Sequence, residues 1–199
     1  MSFRIEHKIK IDTSSLMSFK SWIISNGARK LYPDRIVNSI YYDNYKYDMY
    51  NDSIEGICPR KKIRIRNYPE LKDKQYYLEE KISSIEGRYK KTKDLGKLNN
   101  VYPKTILDNH YGICDQILGI SYNREYWILD KVRITLDKNI GIKNFKKKIG
   151  KSLNLNKIAV ELKTDYRYPL DKLTNDFPFE NIRFSKYCEA FDELNIYQK

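Results

Sequence analysis

The predicted fold depends most on one stretch of the chain, Arg60-Lys61-Lys62-Ile63-Arg64-Ile65-Arg66. Residues two apart in a β-strand point to the same side of the sheet, so its alternate cations are expected on one face and its two isoleucines on the other. Like charges on one strand face repel each other unless an anion lies across them, and guanidinium groups bond phosphate oxygens in a planar fork. We interpret this strand as one wall of a phosphate-binding surface. An exposed strand of a sheet with one wet face gives the same alternation, so both interpretations stand at this point.

The net charge of the whole chain indicates what kind of molecule it binds. The 199 residues include 38 Lys and Arg against 26 Asp and Glu, a formal net charge of +12. Such an excess predicts a polyanionic partner, which is a nucleic acid, an anionic membrane or a phosphorylated small molecule. The length allows a sizeable core, and we expect one domain over residues 1–199.

The cysteines and the hydropathy indicate the compartment. Cys58, Cys114 and Cys188 lie far apart without a CxxC pair, and the chain has only two histidines. This pattern fits neither a zinc site nor a disulfide framework, so a reducing, cytoplasmic location is expected. No apolar run approaches the roughly 20 residues that span a bilayer, and no signal peptide is recognisable. We therefore expect membrane association only through a partner.

Apolar periodicity predicts strands and two amphipathic helices. A helix is expected from Leu16, with Phe19, Trp22 and Ile23 on its apolar stripe and Gly27 at its end, and a second helix over 185–196. Residues 44–56 are expected to form a polar connection, 94–119 short helices and 143–151 a basic loop or irregular hairpin. Strands are predicted over residues 4–11, 37–43, 60–66, 75–82, 88–91, 121–129, 131–137 and 158–163.

Charged residues recur on one face of these strands, with an apolar face behind each of them. They are Arg4, Glu6, Lys8, Lys10, Arg60, Lys62, Arg64, Arg66, Glu79, Lys81, Arg124, Arg133, Asp137, Glu161 and Lys163. The pattern predicts an α+β fold in which eight strands close into a β-barrel with a charged interior and helices packed outside. Fixed cations in such a lumen bind a phosphate chain, while carboxylates such as Glu161 hold a divalent metal. No GxxxxGK[ST] motif is present, so P-loop chemistry is not expected.

The chain contains eight short motifs in a fixed order. They are Arg4-x-Glu6-x-Lys8, Ser39-Ile40-Tyr41-Tyr42-Asp43, Lys62-Ile63-Arg64-Ile65-Arg66-x-Tyr68, Glu79-x-Lys81, Tyr122-x-Arg124, Arg133-x-Thr135-x-Asp137, Glu161-x-Lys163 and Phe184-Ser185-Lys186-Tyr187. Each motif alone is weakly specific, whereas the ordered set spans roughly residues 3 to 190. This ordered set resembles the VTC (vacuolar transporter chaperone) polyphosphate polymerase domain, which belongs to the CYTH group of triphosphate tunnel metalloenzymes.

The resemblance implies that the closed eight-stranded β-barrel is an antiparallel tunnel. It also implies an enzyme that takes the terminal phosphate of ATP, with Mn²⁺ or Mg²⁺, and adds it to a growing polyphosphate chain, releasing ADP. Transferred by position, the catalytic residues are Lys8, Arg64, Arg66, Lys81 and Lys186. The phosphate-binding residues are Lys10, Lys62, Lys90, Lys91, Tyr122, Arg124, Arg133, Lys163 and Ser185, with the strand register leaving the choice between Lys90 and Lys91 open. The metal ligands are Glu161, Glu6 and Glu79.

Three other functions compete with the polymerase. A triphosphatase of the same architecture would hydrolyse inorganic or nucleoside triphosphate, because the same cations can deliver phosphate to water. A polyphosphate sensor without catalysis would keep the cations and lose the metal chemistry, but the carboxylates Glu79, Asp137 and Glu161 are present. Nucleic-acid binding is not expected, since it needs an exposed basic face instead of a closed one.

Overall fold

A computed structural model describes residues 4–70, 75–85, 87–97, 102–146, 152–165, 179–180 and 182–197, with ten strands and three α-helices among them. The elements, in chain order, are β1 (Arg4–Asp12), α1 (Leu16–Ser25), β2 (Arg29–Asp43), α2 (Asp48–Glu55), β3 (Arg60–Asn67), β4 (Tyr76–Ser84), β5 (Gly87–Asp94), β6 (Thr105–Asp108), β7 (Gly112–Leu129), β8 (Val132–Asn144), β9 (Ser152–Leu155), β10 (Lys157–Asp165) and α3 (Lys186–Glu193).

The ten strands form one sheet in the order β1-β10-β8-β7-β2-β3-β4-β5, with β6 paired to β7 and β9 paired to β8. The pairs for which the register is defined are antiparallel. The α+β class is therefore confirmed. The closed eight-stranded barrel is not observed. Within the described residues the strand order has two ends, at β1 and β5, and the sheet has ten strands instead of eight. The additional strands β6 and β9 have four residues each, which is too short for a clear alternation in the sequence.

The chain divides into two compact units. The first comprises Met1–Arg35, Tyr122–Ile140 and Asn156–Phe184, and the second comprises Ile36–Ser121, Gly141–Leu155 and Ser185–Lys199. Three of the five boundaries between them fall inside the long strands β2, β7 and β8. The single domain over residues 1–199 stays a prediction.

The core of the first unit forms where α1 packs on β1, β8 and β10. Phe19 and Ile23 are fully buried, and Leu16 and Trp22 pack against the same cluster, so the predicted apolar stripe is confirmed. Gly27 has a φ of +88° just after the helix, a conformation that glycine adopts without strain and that commonly ends helices. The strand residues of this core are Ile9, Ile11, Trp127, Val132, Ile134, Leu136, Ile158, Val160 and Leu162.

The core of the second unit lies behind β3. Ile63 and Ile65 are buried with Ile40, Tyr42 and Met49, while the alternate residues of β3 carry the cations. The alternation predicted from residues 60–66 is therefore confirmed. Its cations are partly buried, and Arg66 is only 5% exposed, which is unusual for a charged residue.

Two connections differ from the prediction. The segment expected to be a polar connection contains α2, whose first turn is capped by side chains that precede it: Asp43 accepts hydrogen bonds from the N–H groups of Met49 and Tyr50, and Asn44 accepts one from Asp48. These contacts satisfy the free N–H groups that a helix start leaves, so a polar, tyrosine-rich sequence can still be helical.

The segment 94–119 contains β6 and the start of β7 instead of the predicted short helices. The two strands pair antiparallel, and Gly112 adopts a φ of +70° at the turn that joins them. Residues 143 and 144 belong to β8, whereas the cations at 147, 148 and 151 of the predicted basic loop lie outside the described residues. Within the described residues, the longest helix is α1 with ten residues, and none is long and apolar enough to span a bilayer.

Glu125 of β7 is a buried carboxylate surrounded by cations in the first unit. It is 1% exposed; its Oε1 accepts from the amines of Lys20 and Lys138 at 2.7 Å each, and its Oε2 accepts from Lys30 and from Nε1 of Trp127 at 3.1 Å each. Burial alone would raise the pKa of Glu125, but the three lysines outweigh it and lower the pKa to about 2. The carboxylate therefore fastens α1, β2 and β8 to β7.

We predict that Glu125→Gln lowers the free energy of unfolding at pH 7 by about 2 to 4 kcal/mol, because three lysines lose their counter-charge. A depressed pKa gives stability that is complete above the unfolded value of 4.5 and is lost as the pH falls through about 2. The difference in the free energy of unfolding between the variant and the unaltered protein, measured by urea unfolding, should therefore shrink as the pH falls from 4.5 to 2. Glu193→Gln, at an exposed position, is the control and should change little; a difference that is constant with pH would contradict the argument.

Candidate functional site

A cluster of three cations surrounds Glu79 in the second unit. Nε and Nη2 of Arg64 lie 2.7 Å from Oε2 of Glu79, Nη1 of Arg66 lies 3.5 Å from the same oxygen, and Nζ of Lys90 lies 2.9 Å from Oε1. The antiparallel pairing of β3, β4 and β5 produces this convergence, since Arg64 is in direct register with Glu79. We call these four residues the Glu79 cluster.

The Glu79 cluster carries more positive than negative charge. Glu79 is 4% exposed, and burial alone would raise its pKa, but Arg64, Arg66 and Lys90 outweigh burial and hold the pKa well below the usual range for glutamate. The carboxylate is therefore ionised at neutral pH. Three cations against one carboxylate leave a surplus that favours binding of an anion.

Two stacked tyrosines connect the Glu79 cluster to α3. Nη1 of Arg64 donates to the hydroxyl of Tyr41 at 2.8 Å, and the Tyr41 ring stacks on Tyr187 with the centroids 5.1 Å apart. The hydroxyl of Tyr187 donates to Oδ2 of Asp43 at 2.6 Å. Burial alone would raise the pKa of Tyr41, but the charges of Arg64 and Arg66 outweigh it and lower the pKa. Asp43 thus holds both the start of α2 and the first turn of α3.

Lys62 lies at the N-terminus of α3. Its amine donates to Oγ of Ser185 at 2.7 Å and lies 3.8 Å from Sγ of Cys188. Ser185 is the N-cap of the helix, where its Oγ accepts from the N–H of Cys188. Burial lowers the pKa of Lys62. An anion at this position would stabilise the charged amine and also interact favourably with the positive end of the helix.

The charged face of the first unit contains a bidentate pair. Nε and Nη2 of Arg124 lie 2.6 Å and 2.7 Å from the two carboxylate oxygens of Asp137, and the guanidinium lies 5.2 Å from the centroid of the Tyr122 ring. Burial alone would lower the pKa of Arg124, but the Asp137 charge outweighs it and raises the pKa. Tyr122 and Asp137 therefore hold the guanidinium in a fixed orientation.

The paired strands β1, β10 and β8 align further charged residues of the first unit. The register places Lys8 opposite Glu161 and Glu6 opposite Lys163. Nζ of Lys163 lies 3.0 Å from Glu6 and 3.3 Å from Glu161, and the amine of Lys8 donates to the carbonyl of Phe184 at 2.9 Å. Across the next pairing, Lys163 is opposite Arg133.

The carboxylates of the first unit suit a divalent cation whose remaining ligands are water and phosphate oxygens. Glu6 and Glu161 both contact the amine of Lys163, so their oxygens lie near each other. Mg²⁺ is commonly held by one or two carboxylates together with water and phosphate oxygens, and Mn²⁺ prefers similar ligands. Within the described residues no three side chains of His, Cys, Asp or Glu converge as a complete metal site. Both oxygens of Glu79 already accept from cations, and Glu79 remains a predicted ligand only.

The other predicted site residues lie at the following places. Lys81 is in register with both Lys62 and Lys90, and Lys186 begins α3, where its charge helps to lower the pKa of Tyr41. Lys90 and Lys91 are both exposed; Lys90 contacts Glu79, whereas Lys91 is in register with Glu80. The side chain of Lys10 lies outside the described part of the chain.

The site residues predicted from the sequence do not include Ser39, Tyr41, Asp43 or Tyr187. Oγ of Ser39 accepts from Nε of Arg66 at 3.2 Å, and the other three form the chain of contacts from Arg64 to α2. All four belong to motifs that carried the family resemblance, which was the signal that could have identified them. Their spacing alone indicated only a strand and a helix start.

The chain matches the family model of the VTC domain over two overlapping segments, residues 3–111 and 93–195. No curated protein gives a significant sequence match. The match extends over nearly the whole chain and includes every residue of the Glu79 cluster.

Solved structures show that the fold is shared at low sequence identity. A protein from Vibrio parahaemolyticus with a proposed adenylate cyclase activity superposes with a TM-score of 0.55 at 13% identity, covering 96% of this chain and 98% of that chain. A protein from Pyrococcus horikoshii OT3 gives 0.58 at 17%, covering 95% and 99%. A proposed adenylyl cyclase from Hippeastrum with a dominant triphosphatase activity gives 0.54 at 11%, covering 97% and 96%. The family match and the shared fold confirm the resemblance seen in the sequence: the chain belongs to the VTC domain family.

Proposed function

We propose that this chain is a metal-dependent phosphotransferase that moves the terminal phosphate of ATP onto a growing polyphosphate chain. The Glu79 cluster carries the proposal, because Arg64 and Arg66 are held by one buried carboxylate while Lys90 adds a further positive charge. Membership of the VTC domain family supports it.

The side chains of the cluster suit phosphate in both charge and geometry. Guanidinium groups bond two phosphate oxygens at once, and both arginines are oriented by the carboxylate and by the hydroxyls of Tyr41 and Ser39. Orientation matters because phosphoryl transfer depends on positioning and on electrostatic stabilisation of the phosphate oxygens. In this proposal Arg64 and Arg66 bind the transferred phosphoryl group.

Lys62, Ser185 and Lys186 form a second phosphate contact at the start of α3. The buried amine of Lys62 becomes more favourable in its charged form when an anion is near, and the positive end of the helix dipole also favours an anion there. In the first unit, Lys8, Arg124, Arg133 and Lys163 are proposed to bind phosphate, and Glu6 and Glu161 would hold Mn²⁺ or Mg²⁺. Such an ion supplies charge neutralisation on phosphate oxygens.

A triphosphatase is the second candidate, in which water takes the place of the phosphate acceptor. The Hippeastrum protein, with a dominant triphosphatase activity, favours it because the two chains share their fold. The same cations would bind the triphosphate in either reaction, so the proposals differ only in the acceptor. A polyphosphate sensor without turnover remains the non-enzymatic alternative.

Incubation of the purified protein with ATP and Mn²⁺ separates the three candidates. Gel analysis for polyphosphate is combined with separate assays for ADP and free phosphate. A ladder of polyphosphate with matching ADP supports the polymerase, whereas free phosphate without chain growth supports the triphosphatase. Tight binding of polyphosphate without turnover supports the sensor and contradicts both enzymes.

We predict that Arg64→Ala with Arg66→Ala lowers turnover of ATP by at least about 100-fold, because each guanidinium stabilises phosphate charge in the transition state. ADP release under saturating Mn²⁺ is the measurement. The matched control, Lys104→Ala with Lys131→Ala, removes the same charge from two exposed positions and should keep the rate within about twofold. An unchanged rate in the arginine variant would refute the role of the Glu79 cluster.

We predict that Glu79→Gln lowers the Tm of the unliganded protein. Addition of inorganic tripolyphosphate should then raise the Tm of this variant by more than it raises the Tm of the unaltered protein. The cations lose their counter-charge in the variant, and an added anion replaces it. Glu80→Gln is the control on the same strand: Glu80 contacts only Lys61 among the described residues, at 3.6 Å, and its variant should show no extra response. Equal responses of both variants would show that Glu79 has no special relation to the anion.

We predict that Glu161→Gln weakens Mn²⁺ binding about 10- to 100-fold in the presence of tripolyphosphate, because one carboxylate oxygen donor is lost. The electron paramagnetic resonance signal of free Mn²⁺ reports the binding directly, independently of turnover. Glu55→Gln, at an exposed position in α2, serves as the control. Unchanged Mn²⁺ binding would remove Glu161 from the metal site.

A further inference from the structure

Two buried polar atoms of β8 have no hydrogen-bond partner within the described residues. They are Oγ1 of Thr135 and Nε of Arg133. Thr135 is only 2% exposed. Most buried polar groups in folded proteins are hydrogen-bonded, and one left unpaired destabilises the protein. These two atoms therefore indicate a group that binds here.

The strand register places both atoms on the charged face of the first unit. Thr135 is opposite Glu161 on β10, and Arg133 is opposite Lys163. The residues between and after them, Ile134 and Leu136, are fully buried in the apolar core. Because neighbouring residues of a strand point to opposite sides, Thr135 points away from this core.

The chemistry of the neighbours selects an anion. Nε of Arg133 can only donate a hydrogen bond, and the hydroxyl of Thr135 can donate as well. The cation Lys163 lies across from Arg133, and Lys8 lies beyond Glu161 on β1. A group with several acceptor oxygens and negative charge satisfies both donors and the cations, and phosphate has these properties.

We propose that the hydroxyl of Thr135 contacts a phosphate group of the substrate, with Nε of Arg133 as the second donor to the same group. The proposal rests on the proposed function and adds a neutral residue to the predicted cationic contacts. Thr135 thereby determines affinity for the phosphate chain without adding charge, and its hydroxyl reaches a partner only when the substrate is bound.

An isosteric substitution separates this role from a structural one. Thr135→Val replaces the hydroxyl by a methyl group of similar size and so removes an unpaired polar atom from the unliganded protein, which should keep or raise its Tm. Thr164→Val is the matched control on β10. The hydroxyl of Thr164, a buried residue, donates to the carbonyl of Lys131 at 3.5 Å, so its removal should lower the Tm.

The experiment measures Tm without ligand and the Kd for inorganic tripolyphosphate by isothermal titration calorimetry. We expect Thr135→Val to weaken binding about 5- to 30-fold without lowering the Tm, and Thr135→Ser, which keeps the hydroxyl, to bind within about threefold of the unaltered protein. Thr164→Val should lower the Tm and leave the Kd unchanged.

Two results would overturn the proposal, and they differ from a failure of the proposed function. Binding of tripolyphosphate by Thr135→Val as tight as by the unaltered protein would refute the contact alone. A fall in Tm as large as that of Thr164→Val would show that the hydroxyl already has a partner without substrate. If the unaltered protein does not bind tripolyphosphate, the proposed function fails and this inference fails with it.

Discussion

Repulsion among cations on one face of a β-sheet is the constraint on which this structure depends. Strand β3 places Lys62, Arg64 and Arg66 on the same side, and like charges so close raise the free energy of the folded state. Glu79 offsets part of this cost by accepting hydrogen bonds from Arg64 and by forming an ion pair with Arg66. In the first unit Asp137 does the same for Arg124. In the proposed function, the positive charge of these strand faces attracts the phosphate groups of the substrate.

The alternation that produces the charged face also produces the core that supports it. Ile63 and Ile65 are buried directly behind the cations of β3, and Ile134 and Leu136 are buried behind the charged residues of β8. Burial of such side chains contributes roughly 1.5 to 3 kcal/mol each. The face therefore sits on a rigid, packed layer, which is what a site that acts by fixed positioning requires.

The sequence predicted the features that depend on local periodicity. The alternation of residues 60–66, the apolar stripe of α1 and its end at Gly27 are examples, because one strand or helix determines each of them. Helix α2 was missed because its buried apolar face is short, with Met49 and Tyr50, and because Asp43 and Asn44, which cap its first turn, precede it in the chain. The strand count and the lack of closure were missed because they depend on pairings between distant segments.

The contacts of the site depend on strand register, which no periodicity reveals. Arg64 meets Glu79 because these residues are directly opposite, and a slip by one residue would present Glu80 instead. The same register brings Lys90 and not Lys91 to the carboxylate. The motif Arg133-x-Thr135-x-Asp137 was visible in the sequence, but only the packed structure shows that the hydroxyl of Thr135 lacks a partner in the described residues.

Two carboxylates, Glu125 and Glu79, each meet three cations, but the exposure of those cations differs. The side chains of the three lysines around Glu125 are 23%, 29% and 44% exposed, so water can solvate their charge. At Glu79 the side chain of Lys90 is 49% exposed, whereas those of Arg64 and Arg66 are 20% and 7% exposed. Water reaches the guanidinium of Arg66 least, and a charge in such surroundings depends most on nearby opposite charge and hydrogen bonds. In the proposed function, a phosphate group would therefore interact more strongly with Arg66 than with the well-hydrated Lys90.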